Sequence, residues 1–448
     1  MSSADSLAKT LEKKGVKYLL PTYSDMHGRS KTKMVPVHHY DRMLKGSELF
    51  TGAAVEGVPQ EVNDEEVASR PDPASCTILP WRPDTAWFAS DLWCEGKPFE
   101  ACSRNILNRV LAQLGTLGYG LNAGIEAEFC VLKDGPDGSY VPMGPRHHLE
   151  KPAYDTVRLL ENMFWMDELV SAMNDLGWGV YSLDHEDAIG QFEIDFNYFD
   201  ARTMADRYVF FRMMADEIAR KHGGFASFMP KPFGDRAGSG AHYNLSLYGL
   251  ADRKNLFEDK NDKRGKGLST LGYQFIAGVL RHLPAISAVV APTVNSYKRL
   301  IPRGSRAGFT WAPIFTCYGG NNRTNTVRIP LGGGRIELRL ADSACNPYLG
   351  FAMVAAAGLE GIRENLDPGE PHEDNMYLKT PEELKKIGVS LLPRSLGEAL
   401  DAFEADPLSK SVFGEAMYKS WLEFKREEWR SYTVYVTDWE KDRYLKFF

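Results

Sequence analysis

Four segments of the chain alternate between polar and apolar residues, which is the pattern of a β-strand with one buried and one accessible face. In the clearest of them, at 242–247, the apolar set is Tyr243, Leu245 and Leu247. The polar sets of the four segments are Glu126 and Glu128; Gln191, Glu193 and Asp195; His242, Asn244 and Ser246; and Arg335, Glu337 and Arg339. The pattern therefore predicts strands that pack one face in the core and present charged groups on the other.

Other segments repeat apolar residues at the three- and four-residue spacing of an amphipathic helix. Helices are predicted over the N-terminal stretch and over 103–114, 156–176, 203–222, 267–291, 347–364, 395–403 and 414–429. Before residue 103 the chain consists mostly of short strands punctuated by proline and turn residues. We therefore predict an α+β fold with a β-rich N-terminal domain at 1–102 and a larger second domain at 103–448.

The composition is that of a soluble globular protein and narrows the classes of partner. A net charge of −7 argues against nucleic acid or an anionic membrane as a partner. No apolar run approaches the roughly 20 residues that span a bilayer. Six cysteines without paired spacing indicate reduced thiols, and neither a disulfide framework nor a zinc site. We therefore expect a cytoplasmic protein.

A glycine-rich loop precedes the strand that carries His242. Gly234, Gly238 and Gly240 lack side chains, so the backbone N–H groups around them can approach phosphate oxygens. A loop of this kind, leading into a strand with a metal-type ligand, predicts a nucleotide-phosphate and cation site. The alternative is a glycine-rich hairpin whose histidine is satisfied by an ordinary partner.

Paired carboxylates within apolar strands indicate a bound cation. Glu126 and Glu128 share one strand face, where they repel each other and lose hydration unless a cation lies between them. An exposed strand edge would also tolerate the pair. If the four strands curl into one funnel, oxygen ligands with a single imidazole suit Mg²⁺ or Mn²⁺. Arginines beside such metals bind phosphate and carboxylate, so the residues predict an ATP-dependent ligase that activates a carboxylate.

These residues resemble the glutamine synthetase family over nearly the whole chain. Residues 231–246 resemble the ATP-site signature of the family, and 295–300 and 336–339 resemble two further motifs in family order. The resemblance implies an N-terminal β-grasp domain and a C-terminal catalytic domain whose curved antiparallel sheet forms a funnel. It also implies that ATP, with Mg²⁺ or Mn²⁺, phosphorylates L-glutamate to γ-glutamyl phosphate.

The resemblance also implies roles for individual residues. The first metal would be held by Glu128, Glu186 and Glu193, and the second by Glu126, His242 and Glu337. Arg299 and Arg339 would bind the carboxyl groups of glutamate, with Gly238 near its amino group. The phosphoryl group would be neutralised by Arg323, Arg328 and Arg335, and the nucleotide would lie near Lys231 and Ser246.

Two departures from the family pattern concern the group that attacks the activated glutamate. Ammonia-using members carry an aspartate that binds ammonium where this chain has Thr51. They also carry a flap glutamate, whereas 299–323 in this chain contains no acidic residue and several aromatic ones. Ammonium is a small cation that needs carboxylates to hold it and to accept its proton. The acid-free flap therefore favours an organic amine.

We predict a γ-glutamylamide synthetase that uses a small primary amine, with methylamine as the leading candidate, because each buried CH₂ contributes about 0.8 kcal/mol. Glu186 or another metal-bound carboxylate would accept the amine proton, or the amine would enter neutral. The alternatives are an ammonia-dependent glutamine synthetase with a divergent flap, a ligase for a larger alkylamine, arylamine or polyamine, and a catalytically inactive structural relative.

The resemblance further implies that the active sites lie between the subunits of a closed homo-oligomer. The expected assembly is a dodecamer of two stacked hexameric rings, with no nucleic-acid or membrane partner. The C-terminal segment 433–448 is apolar enough to dock on a neighbouring subunit, and packing on its own subunit is the alternative.

Overall fold

The computed structural model describes residues 3–144, 149–305 and 308–448. In these ranges there are thirteen α-helices: α1 (Ser3–Lys13), α2 (Tyr40–Leu44), α3 (Ser103–Gly115), α4 (Thr156–Glu161), α5 (Met163–Asp175), α6 (Ala201–Lys221), α7 (Thr270–Val290), α8 (Ser296–Arg299), α9 (Pro347–Arg363), α10 (Pro381–Lys386), α11 (Leu396–Ala405), α12 (Pro407–Val434) and α13 (Asp438–Tyr444). Together with two large sheets they form the α+β fold that the sequence predicts.

The first sheet lies within the first hundred residues. Its strands are β1 (Tyr18–Ser24), β2 (Ser30–Lys31), β3 (Val35–Pro36), β4 (Glu48–Phe50), β5 (Val67–Pro71), β6 (Thr77–Leu79), β7 (Arg82–Cys94) and β8 (Lys97–Pro98). The main path runs β2-β1-β7-β5-β4, with β1 parallel to β7 and the other pairs antiparallel. Leu11 of α1 and Tyr40 of α2 pack with Leu19 and Phe88 of the sheet in a small core.

The second sheet carries the segments with charged faces. Its strands are β9 (Tyr119–Asp134), β10 (Tyr140–Pro142), β11 (Val180–His185), β12 (Gln191–Phe196), β13 (Phe199–Asp200), β14 (Phe225–Ser227), β15 (Ala241–Gly249), β18 (Tyr318–Gly319), β19 (Val327–Arg328) and β20 (Ile336–Leu338). A separate hairpin pairs β16 (Arg303–Ser305) with β17 (Gly308–Phe309).

The main path of the second sheet is β11-β12-β9-β15-β20-β19-β18. Its pairs are antiparallel except β18 with β19, which is parallel. The predicted antiparallel sheet is therefore corrected at this edge, where the turns and bends of 320–326 return the chain to the start of the next strand.

The alternating pattern correctly predicts the buried side of this sheet. Tyr243, Leu245 and Leu247 of β15 are fully buried. The ring of Phe351 in α9 lies 4.5 Å from that of Tyr243, so the helices cover the apolar face. Burial of these side chains leaves the polar side chains of the same strands on the opposite face.

Helix α7 is long and apolar enough to cross a membrane by length and composition, but 78% of that window is buried inside the protein. It packs against α9 and α11. These contacts are those of a core helix.

Two predicted helices differ in the structure. The helix expected at 156–176 is divided into α4 and α5, because Asn162 leaves the helical conformation and its side chain donates a 2.8 Å hydrogen bond to the carbonyl oxygen of Arg158. The helix expected at 414–429 is the second part of α12, which is kinked at Gly414, where φ is 77°. A positive φ suits glycine and is strained in other residues.

Arg104 connects the first sheet to the rest of the chain. Its side chain is 2% exposed and donates hydrogen bonds to Asp206 of α6 at 2.9 and 3.0 Å. It also donates to Asp91 of β7 and to Asp72, each at 2.9 Å. One buried guanidinium therefore holds three carboxylates beside the predicted domain boundary at 102/103, which itself stays a prediction.

We expect Arg104→Gln to lower the free energy of unfolding by about 3–5 kcal/mol, because it leaves the buried carboxylate of Asp206 without its counter-charge and removes two further ion pairs. Arg82→Gln is the matched control, since Arg82 pairs with Asp84 at the surface and its side chain is 57% exposed. Losing such a pair costs about 0–1 kcal/mol. Thermal and denaturant unfolding measure both variants, and equal stability would contradict a connecting role for Arg104.

Candidate active site

A cavity of about 650 Å³ opens on the polar face of the second sheet. Its charged lining residues are Glu126, Glu128, Lys151, Asp184, Glu186, Asp187, Glu193, Asp195, His242, Arg299, Arg323, Arg328 and Arg339. The curled sheet thus gathers, from segments far apart in the chain, most of the residues that the sequence predicts for one site.

His242 lies at the centre of the acidic surface. Its Nδ1 atom is 2.9 Å from Glu126 Oε2 and 3.7 Å from Glu337 Oε1, and its Nε2 atom is 3.6 Å from Glu128 Oε1. Ligand-type atoms fall within 4.8 Å of one another in two groups, Glu126–His242–Glu337 and Glu128–Glu193–His242. Carboxylate oxygens around one imidazole suit a hard divalent cation.

Strand register produces this grouping. His242 lies opposite Glu126 across β15 and β9, and Glu193 lies opposite Glu128 across β12 and β9. Residues directly opposite on one sheet face have Cβ atoms about 4.5–5.5 Å apart. The pairing of adjacent strands therefore sets the spacing of the predicted metal ligands.

The cavity concentrates negative charge. Burial, and next repulsion from Glu128, raises the pKa of Glu186 to about 8. Burial, and next repulsion from Glu126, raises the pKa of Asp195 to about 7. The pKa of Glu193 is also raised, by burial and the surrounding carboxylates. A divalent cation relieves such repulsion, so the donor set fits Mg²⁺ or Mn²⁺.

Glu126 behaves differently from its neighbours. Burial favours its protonated form, but hydrogen bonds with His242 and Asn244 outweigh burial and lower the pKa of Glu126 to about 2. Asn244 Nδ2 donates to Glu126 Oε1 at 2.9 Å. Glu126 is thus held as a carboxylate beside the histidine.

Of the two ligand sets that the resemblance implies, the structure brings all of the second and two members of the first into close groups. Glu128 and Glu193 group with His242, and Glu186 lies outside this close group, so its role as a metal ligand stays a prediction. Glu186 lies beyond the end of β11, and its Oε2 atom accepts a 2.9 Å hydrogen bond from the backbone N–H of Asp187. This turn holds Glu186 on its own loop, although the side chain still lines the cavity.

Four of the five predicted arginines line this cavity. Arg339 Nη1 donates to Glu337 Oε1 at 2.5 Å, and Arg328 forms an ion pair with the same carboxylate. Arg299 is buried and donates to two main-chain carbonyl oxygens just after β20, at 3.0 and 3.1 Å. Arg323 is exposed. Planar guanidinium groups at these positions suit phosphate and carboxylate ligands.

A smaller cavity of about 350 Å³ adjoins the first, and Glu126 and Asp195 line both. Ser246 and Arg335, which the sequence places at the nucleotide and phosphate, line the smaller one. Arg335 Nε donates a 3.0 Å hydrogen bond to Asn244 Oδ1. The two cavities therefore share one acidic wall.

Of two predicted site residues in the glycine-rich loop, Gly238 lines the larger cavity and Lys231 does not. Gly238 lines the larger cavity, where a Cβ atom would lie 2.4 Å from the carbonyl oxygen of Pro230 and 2.8 Å from Arg299 Cγ. Lys231 is 4% exposed, donates from Nζ to the carbonyl oxygen of Arg236, and lines neither cavity. In the structure the Lys231 side chain therefore contacts its own loop, and its predicted contact with the nucleotide stays a prediction.

Two aromatic residues line the cavity in a left-handed backbone conformation. Tyr154 is 73% exposed with φ of 62°, and Trp311 is 51% exposed with φ of 55°. Trp311 belongs to the acid-free flap, of which Arg306 and Ala307 lie outside the described residues. The sequence analysis missed Tyr154 and the nearby Lys151, because they lie in an irregular stretch without periodicity.

Thr51, where ammonia-using members of the family carry an aspartate, lies outside the cavity of its own chain. Thr51 donates a 3.2 Å hydrogen bond to Glu66, and residues 50–54 do not line the cavity. A contribution of Thr51 to a site therefore requires a neighbouring subunit, as the resemblance implies.

The chain is similar in sequence and in structure to known proteins. A glutamate–methylamine ligase of Methyloversatilis universalis is 42% identical over 439 residues, covering 98% of each chain. A glutamine synthetase of Rhizobium leguminosarum bv. phaseoli is 38% identical over 439 residues, covering 98% of this chain and 99% of the relative. The solved structure of a GmaS/ADP complex superposes with a TM-score of 0.91 at 40% identity, covering 98% of this chain and 99% of that one.

The family model for the glutamine synthetase catalytic domain matches residues 100–444, which contain both cavities and every predicted metal ligand. The matched segment, the full-length relatives and the shared fold lead to one conclusion: the chain belongs to the glutamine synthetase family.

Proposed function

We propose that the protein is an ATP-dependent ligase that joins methylamine to the γ-carboxyl group of L-glutamate. The observation that carries the proposal is one cavity that combines clustered carboxylates with four arginines and with Trp311 of the acid-free flap. The similarity to a glutamate–methylamine ligase over 98% of the chain supports the same amine. An ammonia-dependent glutamine synthetase is the second candidate, because relatives with that name are 38% identical.

The acidic groups supply two cation positions in the proposed site. Glu126, His242 and Glu337 would hold one divalent cation, and Glu128 and Glu193 would hold the other. Bound Mg²⁺ or Mn²⁺ would neutralise phosphate oxygens and polarise the phosphoryl group during its transfer from ATP. Glu186 lines the cavity outside both close groups, so we propose it as the carboxylate that accepts the amine proton.

The arginines position the anionic substrates. We propose that Arg299 and Arg339 bind the carboxyl groups of glutamate, with the Gly238 backbone near its amino group. Arg323 and Arg328 in the larger cavity, and Arg335 in the smaller one, would neutralise the transferred phosphoryl group. Ser246 would lie near the nucleotide. Activation of glutamate as γ-glutamyl phosphate would then let the amine displace phosphate.

We propose a homododecamer of two stacked hexameric rings in the cytoplasm. The C-terminal segment supports intersubunit contacts, because Trp439, Phe447 and Phe448 are 64%, 76% and 96% exposed on the single chain. The six cysteines are free thiols, which supports a reducing compartment. Light scattering of the purified chain measures the assembly directly.

We expect methylamine to give the highest kcat/KM among ammonia, methylamine, ethylamine and aniline. A buried methyl group contributes about 0.8 kcal/mol, or about a fourfold preference over ammonia, before the missing acidic residues are considered. Phosphate release from ATP with saturating glutamate measures each amine. If ammonia gives the highest kcat/KM, the protein is a glutamine synthetase and the methylamine proposal is wrong.

We expect Glu193→Gln to lower kcat/KM by about 10²–10³-fold, because the variant removes a charged ligand from a site that stabilises transferring phosphate. Glu217→Gln, an exposed change on α6, is the matched control and keeps wild-type rates. A chelator should abolish activity of the wild type, and added Mg²⁺ should restore it. Equal activity of the two variants would support an inactive scaffold or a different metal site.

A further inference from the structure

The side chain of Asn295 bridges two segments that both reach the cavity. Its Oδ1 atom accepts a 2.7 Å hydrogen bond from the backbone N–H of Lys231, and its Nδ2 atom donates at 3.0 Å to the carbonyl oxygen of the same residue. The amide therefore pairs with Lys231 as a neighbouring strand would. Lys231 begins the glycine-rich loop, and Asn295 directly precedes α8, which ends at Arg299.

Asn295 makes this bridge at a position where asparagine usually serves its own helix. It occupies the N-cap of α8, but its side chain makes no capping hydrogen bond. The Oγ1 atom of Thr293 accepts from the backbone N–H of Ser296 at 3.0 Å, and Ser296 Oγ accepts from the N–H of Thr293 at 3.1 Å. Because Thr293 and Ser296 supply the hydrogen bonds of this turn, the side-chain amide of Asn295 is available to pair with Lys231.

The bridge lies next to a tight contact inside the cavity. A Cβ atom on Gly238 would lie 2.8 Å from Arg299 Cγ and 2.4 Å from the carbonyl oxygen of Pro230, so loop and arginine are in close contact. The N–H of Ser239 donates to that same carbonyl oxygen at 2.8 Å. Lys231 follows Pro230 directly, so a displacement of the bridged residue would move Gly238 relative to Arg299.

We propose that Asn295 is a positioning residue that fixes the distance between the Gly238 backbone and the Arg299 guanidinium. This inference rests on the proposed function, in which these two groups bind glutamate. Asn295 acts through them and itself lines neither the larger nor the smaller cavity. Ser246 on β15 and Arg335, directly before β20, lie in the smaller cavity, so the bridge should affect glutamate more than ATP.

Asn295→Ala tests the proposal by separating the two Michaelis constants. We expect the KM for glutamate to rise roughly tenfold, the effect of losing two neutral hydrogen bonds, while the KM for ATP changes less than about twofold. Asn295→Asp keeps the acceptor for the Lys231 N–H and loses the donor, so it should recover part of the loss. The KM for glutamate should therefore be lowest in the wild type, intermediate in Asn295→Asp and highest in Asn295→Ala.

Asn105→Ala is the matched control for a purely structural effect. Asn105 is 6% exposed and donates from Nδ2 to two carbonyl oxygens, of Leu92 at 2.8 Å and Phe99 at 3.1 Å. Its loss should lower Tm without changing either KM. If Asn295→Ala likewise lowers Tm and leaves the KM for glutamate unchanged, the positioning role is overturned.

Hydrogen exchange tests the bridge by Asn295 without relying on ligase activity. Backbone amides at 233–240 should exchange at least about tenfold faster in Asn295→Ala, or in Asn295→Asp if the alanine variant does not fold, than in the wild type. Unchanged exchange there contradicts the bridge even if the wild type is active. If the variant exchanges faster and the wild type lacks ligase activity, the proposed function is refuted and the bridge is left intact.

Discussion

The register of the second sheet is the constraint on which the site depends. Carboxylates on adjacent strands stand directly opposite one another, Glu128 against Glu193, and Glu126 stands against His242. A slip of one residue in either pairing would turn every polar side chain of that strand into the core. The fully buried Leu245 and Tyr243 prevent the slip, because they would then face water. Core packing on one face of the sheet therefore fixes the spacing of charges on the other.

The buried carboxylate of Glu337 is paired within the protein with arginines that the proposed reaction also uses. Glu337 is fully buried and pairs with both Arg328 and Arg339. These two ion pairs offset part of the cost of burying the carboxylate, and they direct both arginines at Glu337. Binding of a cation and of anionic substrates would supply new partners for all three groups. Arg328 and Arg339 can thus stabilise the fold and also bind phosphate or carboxylate.

Periodicity could predict the strands and which of their faces is polar, because both depend on neighbouring residues. It could not predict which strands pair, so the grouping of Glu128 and Glu193 with His242 depends on tertiary structure. The contact of Lys231 is hidden for a related reason: a motif shows that a lysine is present, but only the fold shows that its ammonium donates to its own loop. The break at Asn162 likewise follows from one side-chain hydrogen bond that no spacing reveals.

The distribution of charge also bears on the choice of amine. The interior of the cavity already holds the carboxylates, whereas Tyr154, Trp311 and the exposed Arg323 also line it without adding negative charge. Aromatic faces attract organic cations and cover their apolar groups, so methylammonium loses hydration there at lower cost than ammonium does. An additional acidic residue in the flap would hold ammonium and compete with the interior for cations. A flap without acidic residues would therefore leave a bound cation at the interior carboxylates and would favour an amine that carries carbon.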